Sequence, residues 1–132
     1  MGNATDTAGK TAIVILSDPD SGSEEALGRL FNGLAAAHEC KKRGDHVRVV
    51  FQGTGTRWLA RVTQADHPAH GLFEEVRDAV AGASGGFATV FGAADDVRRT
   101  GFDLIHDYPL PGTDGVASLR SLVGEGYTVL TF

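Results

Sequence analysis

The run Thr11–Leu16 constrains the fold more than any other stretch, because it is apolar without interruption from its second residue onward. A strand with water on one face alternates polar and apolar residues, whereas an unbroken apolar run is typical of a strand covered on both faces. A helix follows to about Arg43 and ends at Gly44. A second strand of the buried type is predicted at His46–Gln52 (HVRVVFQ). Two such strands separated by a helix indicate a parallel sheet with helices on both sides.

The rest of the chain continues this alternation of strands and helices. Further strands are predicted at 87–91, 102–106 and 127–132. Helices are predicted from Pro68 to about Val80, at 94–99, and after Thr113 or Asp114 with Val116 on the buried face; 82–86 is predicted to be a break. We therefore predict an α/β protein, a three-layer α/β/α sandwich around a five-stranded, mainly parallel sheet. Its general architecture is flavodoxin-like, and the strand order stays open.

Length and charge limit the domain organisation and the partners. The chain has 132 residues, which suits one domain, here 11–132 after a poorly ordered segment 1–10. The formal net charge is −5, whereas nucleic-acid binding relies on an excess of cations. The longest apolar run is too short to span a bilayer, and the polar start lacks the apolar core of a secretion signal. We expect a cytoplasmic protein that binds neither nucleic acid nor membrane.

The loop 53–57 (GTGTR), which follows the second predicted strand, is the strongest candidate for contact with an anion. Ligands of open parallel sheets bind beyond the carboxyl ends of the strands, which is where this loop lies. Its glycines let backbone amides approach a ligand, its threonines can donate hydrogen bonds, and Arg57 supplies charge. The loop lacks the lysine of a P-loop, and Gly-Thr turns also serve simply as tight exits from strands. Both interpretations stay open.

Two other polar clusters carry weaker signals. Asp18 and Asp20 are spaced like calcium ligands, but the later ligands of an EF-hand loop are missing, and a capped turn is the favoured interpretation. Asp66, His67 and His70 form the densest group of metal-ligating residue types. A proline interrupts them and no further local ligand follows, so the start of a surface helix is favoured. We predict no metal site and no cofactor.

The sequence after the predicted third strand carries a family resemblance. It reads Phe91-Gly92-Ala93-Ala94-Asp95-Asp96-Val97-Arg98, with Gly101-Phe102 two residues later, and the chain closes on 126–132 (GYTVLTF). Together with the size and order of elements, this resembles the DsrE/DsrF-like sulfur-relay family over about residues 11–132. Relay-type members commonly carry Cys-Gly-x-Cys-x-x-Ala-Arg there. Gly92 and Arg98 match that motif, whereas Phe91 and Ala94 occupy the two cysteine positions.

The loss of those cysteines changes what the resemblance implies. A sulfur carrier holds its sulfur as a persulfide on a reactive thiolate, which Phe91 cannot provide. The single cysteine, Cys40, lies near the C-terminal end of the first helix, where the helix dipole disfavours a thiolate. Family members commonly form homo-oligomers, and some pair with paralogues. The resemblance also implies a pocket at the strand ends.

We therefore predict a divergent DsrE-like protein that binds rather than reacts, as a non-enzymatic module for a small ligand or for oligomer formation. The expected ligand is small and anionic or nucleotide-like, held within a homo-oligomer. The predicted ligand-binding residues are Ser17, Gln52, Thr54, Arg57, Phe91 and Gly92. Two alternatives stay open: sulfur transfer through Cys40, and a protein–protein interaction subunit that partners a relay-type paralogue.

Overall fold

The computed structural model describes residues 8–132, which form one five-stranded sheet with helices on both faces. The strands are β1 (Lys10–Ile15), β2 (His46–Phe51), β3 (Val80–Ser84), β4 (Leu104–Ile105) and β5 (Thr128–Thr131). They lie in the order β4-β3-β2-β1-β5, and every neighbouring pair is parallel. The predicted three-layer α/β/α fold with a five-stranded parallel sheet is confirmed.

Helices and short 3₁₀ turns connect the strands. The helices are α1 (Glu24–Lys42), α2 (Leu59–Val62), α3 (His70–Val76), α4 (Gly85–Val90), α5 (Ala94–Thr100) and α6 (Leu119–Gly124). The 3₁₀ turns are Pro19–Ser21, Gly53–Trp58 and Arg77–Ala79. No helix within residues 8–132 is both long enough and apolar enough to cross a membrane.

Capping residues explain where the long helix α1 begins, and one glycine explains how closely it packs on the sheet. Ser23 caps its first turn by accepting a hydrogen bond from the amide of Glu25, and acidic residues there suit the positive end of the helix dipole. Gly33 allows α1 to pack closely on the sheet, because a Cβ atom at that position would lie 2.3 Å from Cδ1 of Ile15. The first crossover therefore depends on a small residue at the contact between helix and strand.

The helices cover the two faces of the sheet unequally. The covered face packs against α1, α2, α3 and α5, and its core includes Ile13, Phe51 and Phe73, none of which is exposed. The open face has a much smaller core, formed by Ala12, Val50, Ala117 and Leu122. Its helix, α6, has six residues and packs mainly beside β5, whereas Ala81 of β3 and Ile105 of β4 are only partly buried at the margin of this small core.

The prediction of a third strand at 87–91 is wrong, as is the extension of the preceding helix to Val80. Residues 80–84 form β3, which pairs with β2, whereas 85–90 form α4. A strand of small residues is needed here because its neighbours approach closely: a Cβ atom on Gly82 would lie 2.2 Å from the carbonyl oxygen of Asp103. The aromatic and β-branched residues of 87–91 favour a strand by propensity, and tertiary packing overrides that preference.

The last crossover also differs from the prediction. Helix α6 begins later than Thr113 or Asp114, because Ser118 caps it by accepting a hydrogen bond from the amide of Ser121. Val116 is not part of that helix; it pairs with Tyr108 in an isolated antiparallel bridge. Strand β4 is also shorter than predicted, at two residues.

The predicted poorly ordered segment, 1–10, falls mostly outside the described residues, which begin at Ala8. Lys10 already belongs to β1, and the amide of Gly9 donates to the Asp45 carboxylate at 2.8 Å.

Candidate functional site

Arg57 is the centre of a hydrogen-bonded network at the carboxyl edge of the sheet. Its Nη1 lies 2.9 Å from Oδ1 of Asp18, in the loop after β1, and its Nε donates to the carbonyl oxygen of Phe91 at 3.1 Å. The guanidinium also lies 5.7 Å from the centre of the Phe91 ring. With about a quarter of its side chain exposed, Arg57 ties two loops that are far apart in sequence.

A second arginine and a second aspartate extend this network. Asp20, on the turn Pro19–Ser21, lies with one carboxylate oxygen 2.6 Å from Nη2 of Arg61 and the other 3.6 Å from Nη1 of Arg57. A single carboxylate therefore bridges two guanidinium groups. The side chain of Asp20 is 49% exposed, so the bridge is open to water.

The first aspartate of the network is the more firmly held. Partial burial raises the pKa of the Asp18 carboxyl, but the hydrogen bond from the Asp20 amide and the nearby Arg57 guanidinium outweigh burial and lower that pKa below its ordinary value. Asp18 also caps the turn Pro19–Ser21. Its side chain is thus committed to the loop, as the capped-turn interpretation predicts.

Arg57, Asp20 and Arg61 line a small cleft of about 190 Å³, which we call the carboxyl-edge cleft. Its remaining lining residues are Ala60, Phe91, Gly92, Ala93 and Asp96. Three of the predicted ligand-binding residues, Arg57, Phe91 and Gly92, therefore come together. Phe91 does not end a strand, because α4 precedes it; the residue that ends β3 is Ser84.

The other predicted ligand-binding residues do not line this cleft. The Ser17 hydroxyl donates to the carbonyl oxygen of Ala26 at 3.1 Å, and the Thr54 hydroxyl donates to that of Leu16 at 3.1 Å. Both hydroxyl protons are used inside the protein. At Gly55 a Cβ atom would lie 2.1 Å from the carbonyl oxygen of Ile15, so this glycine serves the close exit from β2.

Gln52 lies at the carboxyl end of the central strand and is only 7% exposed. Its Oε1 is buried without a hydrogen-bond partner, and no other side-chain atom of residues 8–132 is in that state. The alternation along β2 places Gln52 on the open face with Val50. Ser84, the next strand's last residue, is also buried there and accepts a hydrogen bond from the Ala117 amide. Buried polar groups are nearly always paired, so Gln52 is an exception that calls for an explanation.

Cys40 lies at the opposite, amino edge of the sheet. Burial raises the pKa of its thiol, a hydrogen bond with Thr11 opposes this rise in part, and the carboxylates of Asp45 and Glu39 add to it, so that the pKa lies above its ordinary value. A raised pKa leaves less thiolate at neutral pH, which is the reverse of what a sulfur carrier needs. The cysteine is also remote from Phe91 and the carboxyl-edge cleft.

The two histidines of the group Asp66, His67 and His70 are hydrogen-bonded within the fold. Nδ1 of His67 accepts a hydrogen bond from the Ala69 amide, and Nδ1 of His70 lies 2.8 Å from the Val62 carbonyl oxygen. Burial also lowers the pKa of His67. Within residues 8–132, no three side chains of His, Cys, Asp or Glu converge closely enough to hold a metal ion.

A larger cleft lies on the open face, and the sequence analysis missed it. This sheet-face cleft has a volume of about 310 Å³ and lies between strands β2 to β4 and helix α6. It is lined by Arg48, Val50, Ala81, Asp103, Leu104, Ile105, His106, Asp107, Ala117, Ser118, Ser121, Leu122 and Glu125. One signal was available: the alternating polar residues His46 and Arg48 at the start of β2 indicate a strand half that is wet on one face.

Comparisons with known proteins add little to this picture. No protein-family model matches the chain, and no solved structure matches it. An uncharacterized protein of Methanocaldococcus jannaschii, MJ0733, is 31% identical over 49 residues. The matched stretch is 37% of this chain and 40% of that protein's length. This likeness covers too little of either chain to show a family, and the resemblance to DsrE-like proteins stays a prediction.

Proposed function

We propose that this protein is a non-catalytic binding domain that holds a small anion in the carboxyl-edge cleft, between Arg57 and Arg61. The observation that carries the proposal is the position of the Asp20 carboxylate. It lies between the two guanidinium groups, 2.6 Å from one and 3.6 Å from the other. A carboxylate is itself an anion, so its position shows where the two arginines can bind a negatively charged group.

Exchange of Asp20 for a ligand needs little free energy. An exposed ion pair contributes roughly 0–1 kcal/mol, because water and salt compete for both charges. Asp20 lies on a three-residue turn without buried residues, so the turn can move without opening the core. Asp18, by contrast, stays bound to Arg57 and keeps that guanidinium in place. A phosphate-like anion has more oxygens than a carboxylate and can bind both arginines at once.

The absence of a reactive thiol supports a binding role rather than sulfur transfer. Cys40 is the single cysteine of the sequence, and it lies at the other edge of the sheet with a raised pKa. An anion in the carboxyl-edge cleft would meet the aromatic ring of Phe91 where the resemblance expects a thiol.

Titration of the protein with inorganic phosphate, followed by calorimetry, tests this proposal. Replacing the competing carboxylate in Asp20→Asn should tighten phosphate binding by about five- to tenfold, since one nearby negative charge is worth about 1 kcal/mol. Arg61→Gln should weaken it by a similar factor. Asp95→Asn is the control: it changes the net charge equally, but Asp95 pairs with Arg98 outside the cleft. Equal effects of Asp20→Asn and Asp95→Asn would refute the proposal.

The free edge of β5 favours self-assembly as a second candidate function. Among residues 8–132, β5 pairs only with β1, and its residues Thr128, Leu130 and Thr131 are exposed. The segment 127–132 contains neither a charged residue nor a proline. Natural edge strands usually carry such residues because they prevent pairing with another chain. At the other edge of the sheet, β4 is too short to offer a comparable template. A second copy of this chain would extend the sheet through β5.

A proline at the outward-facing amide tests the second candidate. The Phe132 amide and carbonyl both bond to β1, so by alternation the Thr131 amide points to the free edge. Thr131→Pro therefore removes a hydrogen bond to a second copy and spares those to β1. We expect light scattering to show a dimer for the wild type and for the control Thr131→Ala, and a monomer for Thr131→Pro. A monomeric wild type at high protein concentration would exclude this function.

A further inference from the structure

The sheet-face cleft contains four charged side chains. Arg48, Asp103, Asp107 and Glu125 all line it, and none of the four forms an ion pair within residues 8–132. Most other arginines of residues 8–132 are paired with a carboxylate. Arginines that pair with a carboxylate in the described part of the chain include Arg29, Arg57, Arg61, Arg77, Arg98 and Arg99. The cleft therefore concentrates charge that the fold itself does not use.

Both signs of charge surround an apolar floor. Val50, Ala81 and Ile105 present side chains from three neighbouring strands, and Leu122 of α6 closes one side. The hydroxyl groups of Ser118 and Ser121 lie on the same helical wall. At about 310 Å³ the cleft is at the lower end of the range for small-molecule sites, which combine an apolar surface with a few convergent polar groups.

We propose that the sheet-face cleft binds a small zwitterion with a short apolar chain between its two charges, such as an ω-amino acid. Arg48 would bind the ligand's carboxylate, because a guanidinium fits a carboxylate with two parallel hydrogen bonds. Asp103 and Asp107 would bind the ammonium group. The methylene chain would cover Val50 and Ile105 and remove apolar surface from water.

The charge balance of the cleft disfavours simpler ligands. Three carboxylates against one guanidinium repel a plain anion, since like charges at short range raise the free energy of the complex. A plain cation would satisfy the carboxylates but leave Arg48 without a partner in the cleft. A zwitterion satisfies both sets. This site is separate from the carboxyl-edge cleft, and no residue lines both.

Three probes with the same five-carbon chain test the inference. They are 5-aminopentanoate, which carries both charges, pentylammonium, which carries the positive one, and pentanoate, which carries the negative one. We expect 5-aminopentanoate to bind at least about tenfold more tightly than either of the others in calorimetric titrations. Amide chemical shifts should change around Val50, Ile105 and Ser121. Equal or tighter binding of pentylammonium or of pentanoate would overturn the proposal, as would no binding of any probe in the millimolar range.

Two matched variants separate the site from general charge effects. Arg48→Met should abolish the preference for 5-aminopentanoate over pentylammonium and leave the binding of pentylammonium unchanged or stronger. Arg120→Met is the control, since Arg120 likewise forms no ion pair with any of residues 8–132 but lies on α6 outside the cleft. It should keep the wild-type preference. If Arg48→Met, folded as judged by its melting curve, retains the preference, or if Arg120→Met loses it, the assignment of Arg48 is wrong.

Discussion

The carboxyl-edge cleft and the sheet-face cleft contain the same kinds of side chain in opposite states. At the carboxyl edge, Arg57 and Arg61 are held by Asp18 and Asp20, with separations of 2.6–3.6 Å. In the sheet-face cleft, Arg48 forms no ion pair with the carboxylates that line the same cleft. The same guanidinium chemistry therefore ties loops together in one place and remains available in the other.

The difference teaches how to separate structural charges from those free to bind. A partly buried arginine with several partners stabilises the fold, and its removal leaves those partners unsatisfied. An exposed arginine without partners contributes little to stability and is free to bind a ligand. At the carboxyl edge, Asp20 lies between the two cases, because its pair with Arg61 is close but exposed.

The largest expected effect concerns the glycine that lets β3 approach β4 and so places Asp103 on the rim of the sheet-face cleft. Gly82→Ala should lower the free energy of unfolding by about 3 kcal/mol, since the new Cβ would lie 2.2 Å from the Asp103 carbonyl oxygen at a backbone φ of 139°. Gly28→Ala, in open space on α1, should instead raise it by roughly 0.5–1 kcal/mol. Denaturant unfolding measures both. A neutral Gly82→Ala would show that the rim is not fixed by this contact.

An intermediate effect compares the two clefts directly. Arg57→Met should destabilise the protein by about 2 kcal/mol, because it leaves the Asp18 carboxylate and the Phe91 carbonyl without their partner. Arg48→Met should change stability by less than about 0.5 kcal/mol, since no ion pair is lost. Urea titrations of the two variants measure the contrast. Similar values for both would remove the distinction between paired and unpaired charges.

The smallest expected effect is a dependence on pH. The pKa of Asp18 is lower in the folded protein than in the unfolded chain, so its stabilising contribution is complete above the unfolded value of about 4 and is lost as the pH falls through the lower folded value. Asp18→Asn should flatten this acid limb of the stability curve, whereas Asp95→Asn should retain it. Unfolding curves at a series of acid pH values provide the measurement. An unchanged slope in Asp18→Asn would show that Arg57 does not hold this carboxylate.

The predictability of the fold varied with how each segment is stabilised. Composition alone predicts the strands at Thr11–Leu16 and His46–Gln52. The reason is that the second half of each strand is buried on both faces and is therefore apolar. Residues 80–84 are not predicted in this way, since the close approach of Asp103 requires a glycine at position 82, where a strand usually has a β-branched residue. The segment 87–91 has strand propensity but forms α4, a choice made by contacts distant in sequence.

The site was only partly predictable for a related reason. The rule that ligands bind at strand ends selected Arg57, Phe91 and Gly92, and these three residues do line one cleft. Phe91, however, follows α4 and not a strand. Which partner each polar group takes is decided by loops that meet only in the folded protein. The bond from Thr54 to Leu16 and that from Ser17 to Ala26 are of this kind. The sheet-face cleft exists because α6 is short, and no local sequence pattern predicts the length of that helix.

The strand order also has a consequence for how the molecule folds. β1 lies between β2 and β5, and its Thr11 pairs with Thr128, about 117 residues further along the chain. Closing a loop of that length costs more entropy than any other strand pairing in this sheet, so we expect β5 to join late. Until then β1 presents its apolar side and its unpaired amides as an open edge. Partly folded chains can therefore aggregate through β1. We expect them to need chaperones for longer the more slowly β5 docks.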